Sequence, residues 1–232
     1  MYQLYHLLLF QPLLNLLIFL YNHIGDIGIA IIIVTILIRL ILLQPSLKAI
    51  KAQKALQELQ PKIKKIQEKY KNDRERQSKE LMKFYQENKV NPFSSCLPML
   101  IQLPVLFALY SVFRVGLTEQ SMQYLYSFVP APEHINTMFL SLINMAQPNA
   151  ILAVLAGVLQ FLQTKMMTKK APKVISGKGP MADMSGILGK QMTYLMPVMT
   201  AFIALGLPSG LALYWITTTL FAIVQQYVII RR

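Results

Sequence analysis

The sequence predicts an all-α membrane protein with five transmembrane helices, and three observations support that prediction. The 232 residues are 54% hydrophobic with a mean hydropathy of +0.44, which is more apolar than a soluble domain of this size requires. Several apolar runs approach the ~20 residues that a helix needs to cross ~30 Å of hydrocarbon. Nearly all basic residues, which give a net charge of +13, lie between these runs, and this distribution disfavours a nucleic-acid-binding protein.

Residues 1–25 are predicted to form an amphipathic helix at the outer membrane interface. The run from Leu4 to Leu20 is apolar, but it is interrupted by His6, Gln11, Pro12 and Asn15. Such a pattern is typical of a helix that lies in the interface. The alternative is a sixth span, which would place the N-terminus inside with no positive charge to hold it there.

The first span, 26–43, contains a single basic residue, Arg39. An ionisable group inside a membrane span costs about 2.5–3.5 kcal/mol at the helix centre, so Arg39 is a candidate functional residue. It lies four residues before Leu43, about 6 Å along a helix, so its side chain could instead reach the interface. Any cavity around Arg39 would therefore open toward the cytoplasm or the inner leaflet.

The remaining segments follow from the alternation of apolar and polar stretches. Prolines inside the predicted spans are tolerated where neighbouring helices satisfy the freed backbone groups. In order, the sequence predicts a cytoplasmic helical hairpin 44–92, span 93–115, an extracytoplasmic loop 116–148, span 149–165, a mobile cytoplasmic loop 166–190, span 191–206, span 207–230 and a cytoplasmic C-terminus 231–232.

The distribution of positive charge predicts the orientation. Loop 44–92 holds thirteen Lys and Arg residues and loop 166–190 holds five, whereas residues 1–26 and 116–148 hold none. The positive-inside rule then places the N-terminus outside and the C-terminus in the cytoplasm of a multi-pass protein of the bacterial cell membrane. Arg114, at the outer end of the second span, is expected to reach the outer interface.

The predicted hairpin has an apolar seam with steps of three and four residues and charged residues on its other faces. The seam residues are Ala49, Ala52, Leu56, Leu59, Ile63, Ile66 and Tyr70. We expect Pro61 to bend the first helix. The hairpin is either a solvated connector or a docking arm for anionic lipid, a ribosome or a targeting factor. The basic candidates for docking are Lys62, Lys64, Lys65, Lys69, Arg74 and Arg76.

No pattern for catalysis, a cofactor or a metal was found, so the chain is not predicted to be an enzyme. The ten acidic residues all lie outside the apolar runs, which argues against a proton- or sodium-coupled transporter. The three histidines lack metal-ligand spacing, and the lone Cys96 cannot form an intrachain disulfide. Polar residues in the spans either bond between helices or line a cavity around Arg39: Gln102, Gln160, Gln163, Thr193, Thr200, Trp215, Thr217, Thr218 and Thr219.

Three long motifs resemble those of YidC-type membrane protein insertases. They are NPFSSCLPMLIQLP at 91–104, LPSGLALYW at 207–215 followed by QQY at 225–227, and QPKIKKIQEKY at 60–70. The likeness covers nearly the whole chain. The chain most resembles the short form of these insertases found in Gram-positive or similar bacteria. The long basic C-terminal tail of some members is absent, so tail-mediated binding of ribosomes is not expected.

The resemblance implies five spans around a hydrophilic groove that is open to the cytoplasm and lipid and closed outside. Arg39 and Trp215 match the groove arginine and tryptophan, Gln160 or Gln163 matches a third-span glutamine, and Gln102 is included with them. The implied activity is insertion and chaperoning of nascent membrane proteins, alone or beside the Sec translocon. Ribosomes, signal-recognition components and lipids are the other implied partners. The alternatives are a small passive channel or transporter, and an assembly factor for finished subunits.

Overall fold

The computed structural model describes residues 2–91, 97–116, 119–168 and 191–231, which are helical for the most part. Cys96 and the predicted mobile loop from residue 169 onward, with its five lysines, lie outside the described residues. The helices are α1 Tyr2–Tyr5, α2 Gln11–Ile24, α3 Ile27–Ile41, α4 Leu43–Lys69, α5 Arg74–Glu87, α6 Leu97–Ser111, α7 Ala150–Thr168, α8 Met196–Leu205 and α9 Ser209–Arg231.

Shorter helical segments extend several of these helices. Wider π-helical turns join α1 to α2 at His6–Phe10, follow α6 at Val112–Gly116 and precede α8 at Gln191–Leu195. A 3-10 helix covers Glu119–Tyr124. Residues 2–24 are therefore helical throughout.

One small β-hairpin departs from the all-α prediction. Strands β1 Met138–Phe139 and β2 Ile143–Asn144 pair antiparallel across a turn in which Leu140 and Ser141 have positive φ angles of 49° and 58°. Asp26 Oδ2 accepts a hydrogen bond from the Leu140 backbone N–H at 2.7 Å and holds this turn. Strands of two residues are too short to show a period in the sequence, so the prediction missed them.

The junction between α2 and α3 is a tight corner. Gly25 ends α2 in the left-handed conformation, with φ of 78°, which glycine adopts without steric cost. Asp26 caps α3 by accepting from the Ile29 backbone N–H at 3.0 Å. The corner returns the chain so that α2 packs against α3.

A bend of 67° separates α3 from α4 at Leu42. Beyond it, α4 continues without interruption through Pro61. α4 and α5 form a helical hairpin, in which the buried side chain of Gln77 donates to the Gln67 carbonyl at 2.7 Å. We call the side of the molecule that carries α4 and α5 the hairpin end, and the side that carries residues 119–149 the loop end.

The apolar core lies between α2, α3, α9 and the segment that follows α6. α9 also packs against α7, and α7 against α8. Gly157 of α7 permits the second approach, because a Cβ there would lie 2.8 Å from Ala201 Cβ and 2.9 Å from the Pro197 carbonyl oxygen. Small residues at such crossings are typical of helix packing in membranes.

Two helices in the described part of the chain are long and apolar enough to cross a membrane alone, Gln3–Ile24 and Ser209–Ile229. The bent pair Ile27–Ile41 and Leu43–Lys69 passes the same test jointly, and Ala150–Met166 and Thr193–Leu205 are shorter apolar helices. The count of five spans therefore stays a prediction.

The contacts of the N-terminal helix favour its interfacial placement. Residues along α2 hydrogen-bond with the loop end. The Gln11 amide donates to the Tyr124 carbonyl, and the Asn22 amide donates to the Pro130 carbonyl. Irregular backbone of this kind does not face hydrocarbon. By length and composition the same helix could also span, so the interfacial placement stays a prediction.

Candidate functional site

The position of Arg39 on α3 follows from the helical period. Ile31 and Thr35 are buried, and each step of four residues along α3 returns to the same face, so Arg39 continues that face into the last turn. The side chain of Arg39 is only partly exposed and lies near the hairpin end, where α3 meets the bend at Leu42.

α9 presents a matching stripe to α3. Five buried residues recur at intervals of three and four residues and so share one helix face: Leu211, Tyr214, Thr218, Ala222 and Gln225. The stripe is apolar at the loop end and becomes polar toward the hairpin end. Polar residues on a helix face that is buried in protein need hydrogen-bond partners, and several of these find them on α3, α4 and α6.

The guanidinium of Arg39 connects three helices. Its Nε donates to Thr218 Oγ1 of α9 at 3.3 Å, and its Nη2 donates to Gln102 Oε1 of α6 at 3.4 Å. Gln102 Nε2 in turn donates to the Tyr214 hydroxyl of α9. The two glutamine atoms thus have opposite roles, which orients the amide between a cation and a phenol.

Arg39 faces neutral groups. The ion pairs found among the described residues, Lys79 with Glu75 and Lys83 with Glu87, both lie in α5 and far along the chain from Arg39. The hydrogen-bond partners of Arg39 are an alcohol and an amide. Its positive charge is therefore solvated by dipoles and is not neutralised by a carboxylate in the described part of the chain.

The structure brings some predicted groove residues together and leaves others apart. Gln102 contacts Arg39 directly. Gln160 and Gln163 lie half-buried on α7, where the Gln160 carbonyl accepts from the Thr164 hydroxyl at 2.8 Å. Trp215 is half-buried and packs against the apolar core beside Tyr214. The roles of Gln160, Gln163 and Trp215 in a groove stay predictions.

A second polar cluster lies at the hairpin end of the same stripe. The Ser46 hydroxyl of α4 donates to Gln225 Oε1 of α9 at 3.0 Å, just beyond the bend at Leu42. Gln225 and Gln226 are 6% and 5% exposed. Gln225 Nε2 and Gln226 Oε1 are buried and have no hydrogen-bond partner among the described residues.

Sequence reasoning did not select Tyr214, Ser46 or Gln225 as site residues, and it counted Thr218 only among the polar residues of the last span. The spacing of Tyr214, Thr218 and Gln225, four and seven residues apart, places them on one helix face and could have marked them. Ser46 carries no comparable signal, because its role depends on the bend that brings α4 across α9.

The basic residues of the hairpin lie on its surface. Lys62, Lys65, Lys69, Arg74 and Arg76 are exposed and Lys64 is partly exposed. At the tip, Lys69 Nζ and Arg76 Cζ lie 5.2 Å and 5.4 Å from the centre of the Tyr70 ring, so both cations contact one aromatic side chain. The seam residues Ala49, Leu56 and Ile63 are buried, which leaves the basic side chains on the outer faces.

The loop end is packed and hydrogen-bonded. Asn15, 3% exposed, donates to the Tyr124 carbonyl at 3.0 Å and accepts from the Tyr126 backbone N–H at 2.6 Å. The backbone N–H groups of Ser209 and Gly210 donate to the carbonyls of Gln147 and Met145 at 2.9 Å and 3.0 Å, which ties the start of α9 to the loop. The polar cluster around Arg39 is therefore separated from this end by packed side chains.

Comparison with known proteins identifies the family of this chain. A family model described as 60Kd inner membrane protein matches residues 19–232, nearly the whole chain. The chain belongs to the 60Kd inner membrane protein family. A relative from Fusobacterium nucleatum named membrane protein insertase YidC is 39% identical over 211 residues, which cover 91% of this chain and 89% of the relative.

Two further relatives of this family carry the same name. The protein from Clostridium perfringens is 38% identical over 204 residues, 87% of this chain and 77% of the relative. The protein from Geobacter sulfurreducens is 34% identical over 224 residues, 97% of this chain and 37% of the relative, so this chain spans little more than a third of that protein. Family membership and the apolar helices together indicate a bacterial inner-membrane protein.

Proposed function

We propose that this protein inserts nascent membrane proteins into the bilayer and assists their folding, by receiving a hydrophilic segment of the substrate beside Arg39. The observation that carries the proposal is the partly buried guanidinium of Arg39, held by Thr218 and Gln102 and not paired with a carboxylate in the described residues. The name that the relatives carry, membrane protein insertase, supports the same activity.

The charge of Arg39 attracts an acidic substrate segment. Two unit charges 4 Å apart interact by about 1 kcal/mol in water and by about 4 kcal/mol at the effective dielectric of a partly buried site. Among the described residues, dipoles and not a counter-ion solvate Arg39, so an incoming carboxylate has no ion pair to displace there. The free energy gained offsets part of the cost of moving a polar segment away from water.

The shape of the helices shortens the path that this segment crosses. α3 contains 15 residues, about 22 Å of helix, and ends at the bend beside Arg39. This length is below the ~30 Å of a typical hydrocarbon core. A groove that is hydrated from the hairpin end as far as Arg39 leaves a thinner apolar barrier. The packed loop end supports a groove closed on the outer side and disfavours a passive channel.

Burial of the substrate's own apolar helix drives the step. At about 25 cal/mol per Å² of apolar surface removed from water, a span of ordinary length supplies more free energy than the transfer of a short polar tail costs. No nucleotide is required. The apolar helix leaves the groove sideways into lipid while the tail passes Arg39.

In this proposal the hairpin end faces the cytoplasm and the loop end faces outward, as the positive-inside rule predicts. The hairpin of α4 and α5 recruits the translating ribosome or a targeting component through its exposed basic residues. Insertion proceeds alone or beside the Sec translocon. Anionic lipid headgroups are the competing partner for the same charges.

Substitution of Arg39 tests the role of its charge. We expect Arg39→Ala and Arg39→Glu to reduce insertion of a single-span substrate with an acidic tail into proteoliposomes, with Glu the more damaging. We expect Arg39→Lys to retain part of the activity, because the role needs charge more than fork geometry. Arg114→Ala is the matched control, since Arg114 is exposed and contacts Tyr110 of its own helix. Equal activity of Arg39→Glu and the unaltered protein would contradict the proposal.

A further inference from the structure

The second polar cluster consists of Ser46, Gln225 and Gln226. The attraction of an acidic tail by Arg39 gives these residues no role. Gln225 lies seven residues beyond Thr218 on the face of α9 that contacts Arg39, and Gln226 is the next residue of the helix. Seven residues are two helical turns, so the cluster lies about 10 Å from Thr218 toward the hairpin end. A segment that approaches Arg39 from that end passes this cluster first.

The cluster has one free donor and one free acceptor. Gln225 Nε2 is a donor and Gln226 Oε1 is an acceptor, and both are buried without a hydrogen-bond partner among the described residues. Ser46 already occupies Gln225 Oε1. Buried polar groups are almost always hydrogen-bonded, so a native pair left open calls for an explanation.

The chemistry of the two free atoms selects the class of ligand. The main chain of a peptide segment carries a carbonyl acceptor and an N–H donor at each residue, and so could satisfy both atoms. A phosphate or carboxylate offers acceptors alone and would leave Gln226 Oε1 without a donor. We propose that Ser46, Gln225 and Gln226 form a binding site for the main chain of the translocated segment, placed before Arg39 on its path.

This inference rests on the proposed function and deepens it. Arg39 discriminates by charge, whereas the glutamine site binds any extended segment irrespective of its side chains. Ser46, which is partly exposed, is the member of the site that reaches the surface, and it belongs to the first turn of α4 beyond the bend. Because Ser46 of α4 contacts the Gln225 amide, a shift of α4 about Leu42 would uncover that amide.

Disulfide crosslinking to a stalled nascent chain tests the site directly. Cys96 is first replaced by Ser, and Thr218→Cys or Gln226→Cys is then combined with single cysteines along the substrate tail. We expect both positions to form crosslinks, with substrate positions offset by about three residues, since an extended chain covers ~10 Å in that number. Crosslinks at position 218 alone would overturn this inference and leave the proposed function standing; crosslinks at neither position would overturn both.

Substitution provides a second measurement. We expect the double variant Gln225→Met with Gln226→Met to lower insertion fivefold or more, because a binding site is lost. The factor should be the same for acidic-tailed and neutral-tailed substrates. Arg39→Ala should instead lower insertion of the acidic-tailed substrate more. The thermal midpoint in detergent should change little, because the double variant removes two unsatisfied amide atoms together with the acceptor of the Ser46 hydroxyl. Gln86→Met, on the exposed face of α5, is the control. Unchanged insertion, or insertion and stability falling together, would show that the glutamines serve the fold alone.

Discussion

The Arg39 Nε atom and the Thr218 hydroxyl oxygen are 3.3 Å apart, although the two residues are separated by 179 positions in the chain. This hydrogen bond joins the last turn of α3 to the middle of α9. Because Gln102 of α6 holds the other side of the guanidinium, the cation is fixed between three helices. The fold therefore determines the position of the Arg39 guanidinium.

Thr218→Val should weaken the function of Arg39 without removing its charge. Valine has nearly the shape of threonine but cannot accept the hydrogen bond, so the guanidinium loses one of its two partners. A hydrogen bond of this kind contributes about 1 kcal/mol, which corresponds to roughly a fivefold loss. We expect insertion of an acidic-tailed substrate into proteoliposomes to fall by that order.

Thr217→Val is the matched control for this change. Its hydroxyl donates to the Leu213 carbonyl of its own helix at 2.9 Å and makes no bond to Arg39. We expect insertion by Thr217→Val to match that of the unaltered protein. If the two valine variants were equally active, the hydrogen bond between Arg39 and Thr218 would be unimportant for insertion.

Asn15→Leu should destabilise the loop end. The buried amide of Asn15 holds the Tyr124 carbonyl and the Tyr126 N–H, and leucine leaves both without this partner. Each buried polar group left unsatisfied costs about 1–3 kcal/mol. We expect a clearly lower thermal midpoint in detergent and faster proteolysis within residues 119–149.

The control for Asn15 is another asparagine of the same helix. Asn22 donates to the Pro130 carbonyl at 2.8 Å but is exposed, so water replaces the bond when Asn22 is changed to Leu. We expect its effect on stability to be within about 0.5 kcal/mol. A loss for Asn22→Leu as large as that for Asn15→Leu would mean that burial of the amide is not what matters.

Much of the helical architecture could be predicted because it depends on local patterns. The apolar runs and the seam of the hairpin both depend on residues close in the sequence. Arg39 could be selected because a single charge in an apolar run is conspicuous. Its contact with Gln102 could not be singled out, because Gln102 was one of nine polar residues predicted either to bond between helices or to line a cavity.

The partners of Arg39 and the second cluster could not be predicted in the same way. The contact with Thr218 depends on the relative rotation of α3 and α9, which no local pattern determines. The contact between Ser46 and Gln225 depends on the bend of 67° at Leu42. Pro45, three residues further on, could have marked a helix end there, but no local pattern determines the angle of the bend. The sequence also predicted a bend of the first hairpin helix at Pro61; α4 includes Pro61 within one helix, and a bend there stays a prediction.

Gly157→Ala should loosen the packing of α7 against α8. The added Cβ would lie 2.8 Å from Ala201 Cβ and 2.9 Å from the Pro197 carbonyl oxygen, so the two helices must move apart. Overpacking of this kind costs about 1–3 kcal/mol. We expect a lower thermal midpoint in detergent. Gly206→Ala is the control, because its Cβ would meet the Ile203 carbonyl oxygen at an ordinary 3.7 Å; equal midpoints for the two variants would exclude a close approach of α7 and α8.

Charge reversal on the hairpin should separate docking from simple connection. Lys62→Glu, Lys65→Glu and Lys69→Glu together change exposed cations near the tip, and we expect weaker co-sedimentation with translating ribosomes and slower insertion. The loss should shrink as salt rises, because exposed charges are screened beyond ~8 Å at physiological ionic strength. Lys79→Glu with Lys83→Glu is the control, since these lysines pair with Glu75 and Glu87. If the triple variant still bound ribosomes but no longer bound anionic vesicles, lipid would be the partner of the hairpin.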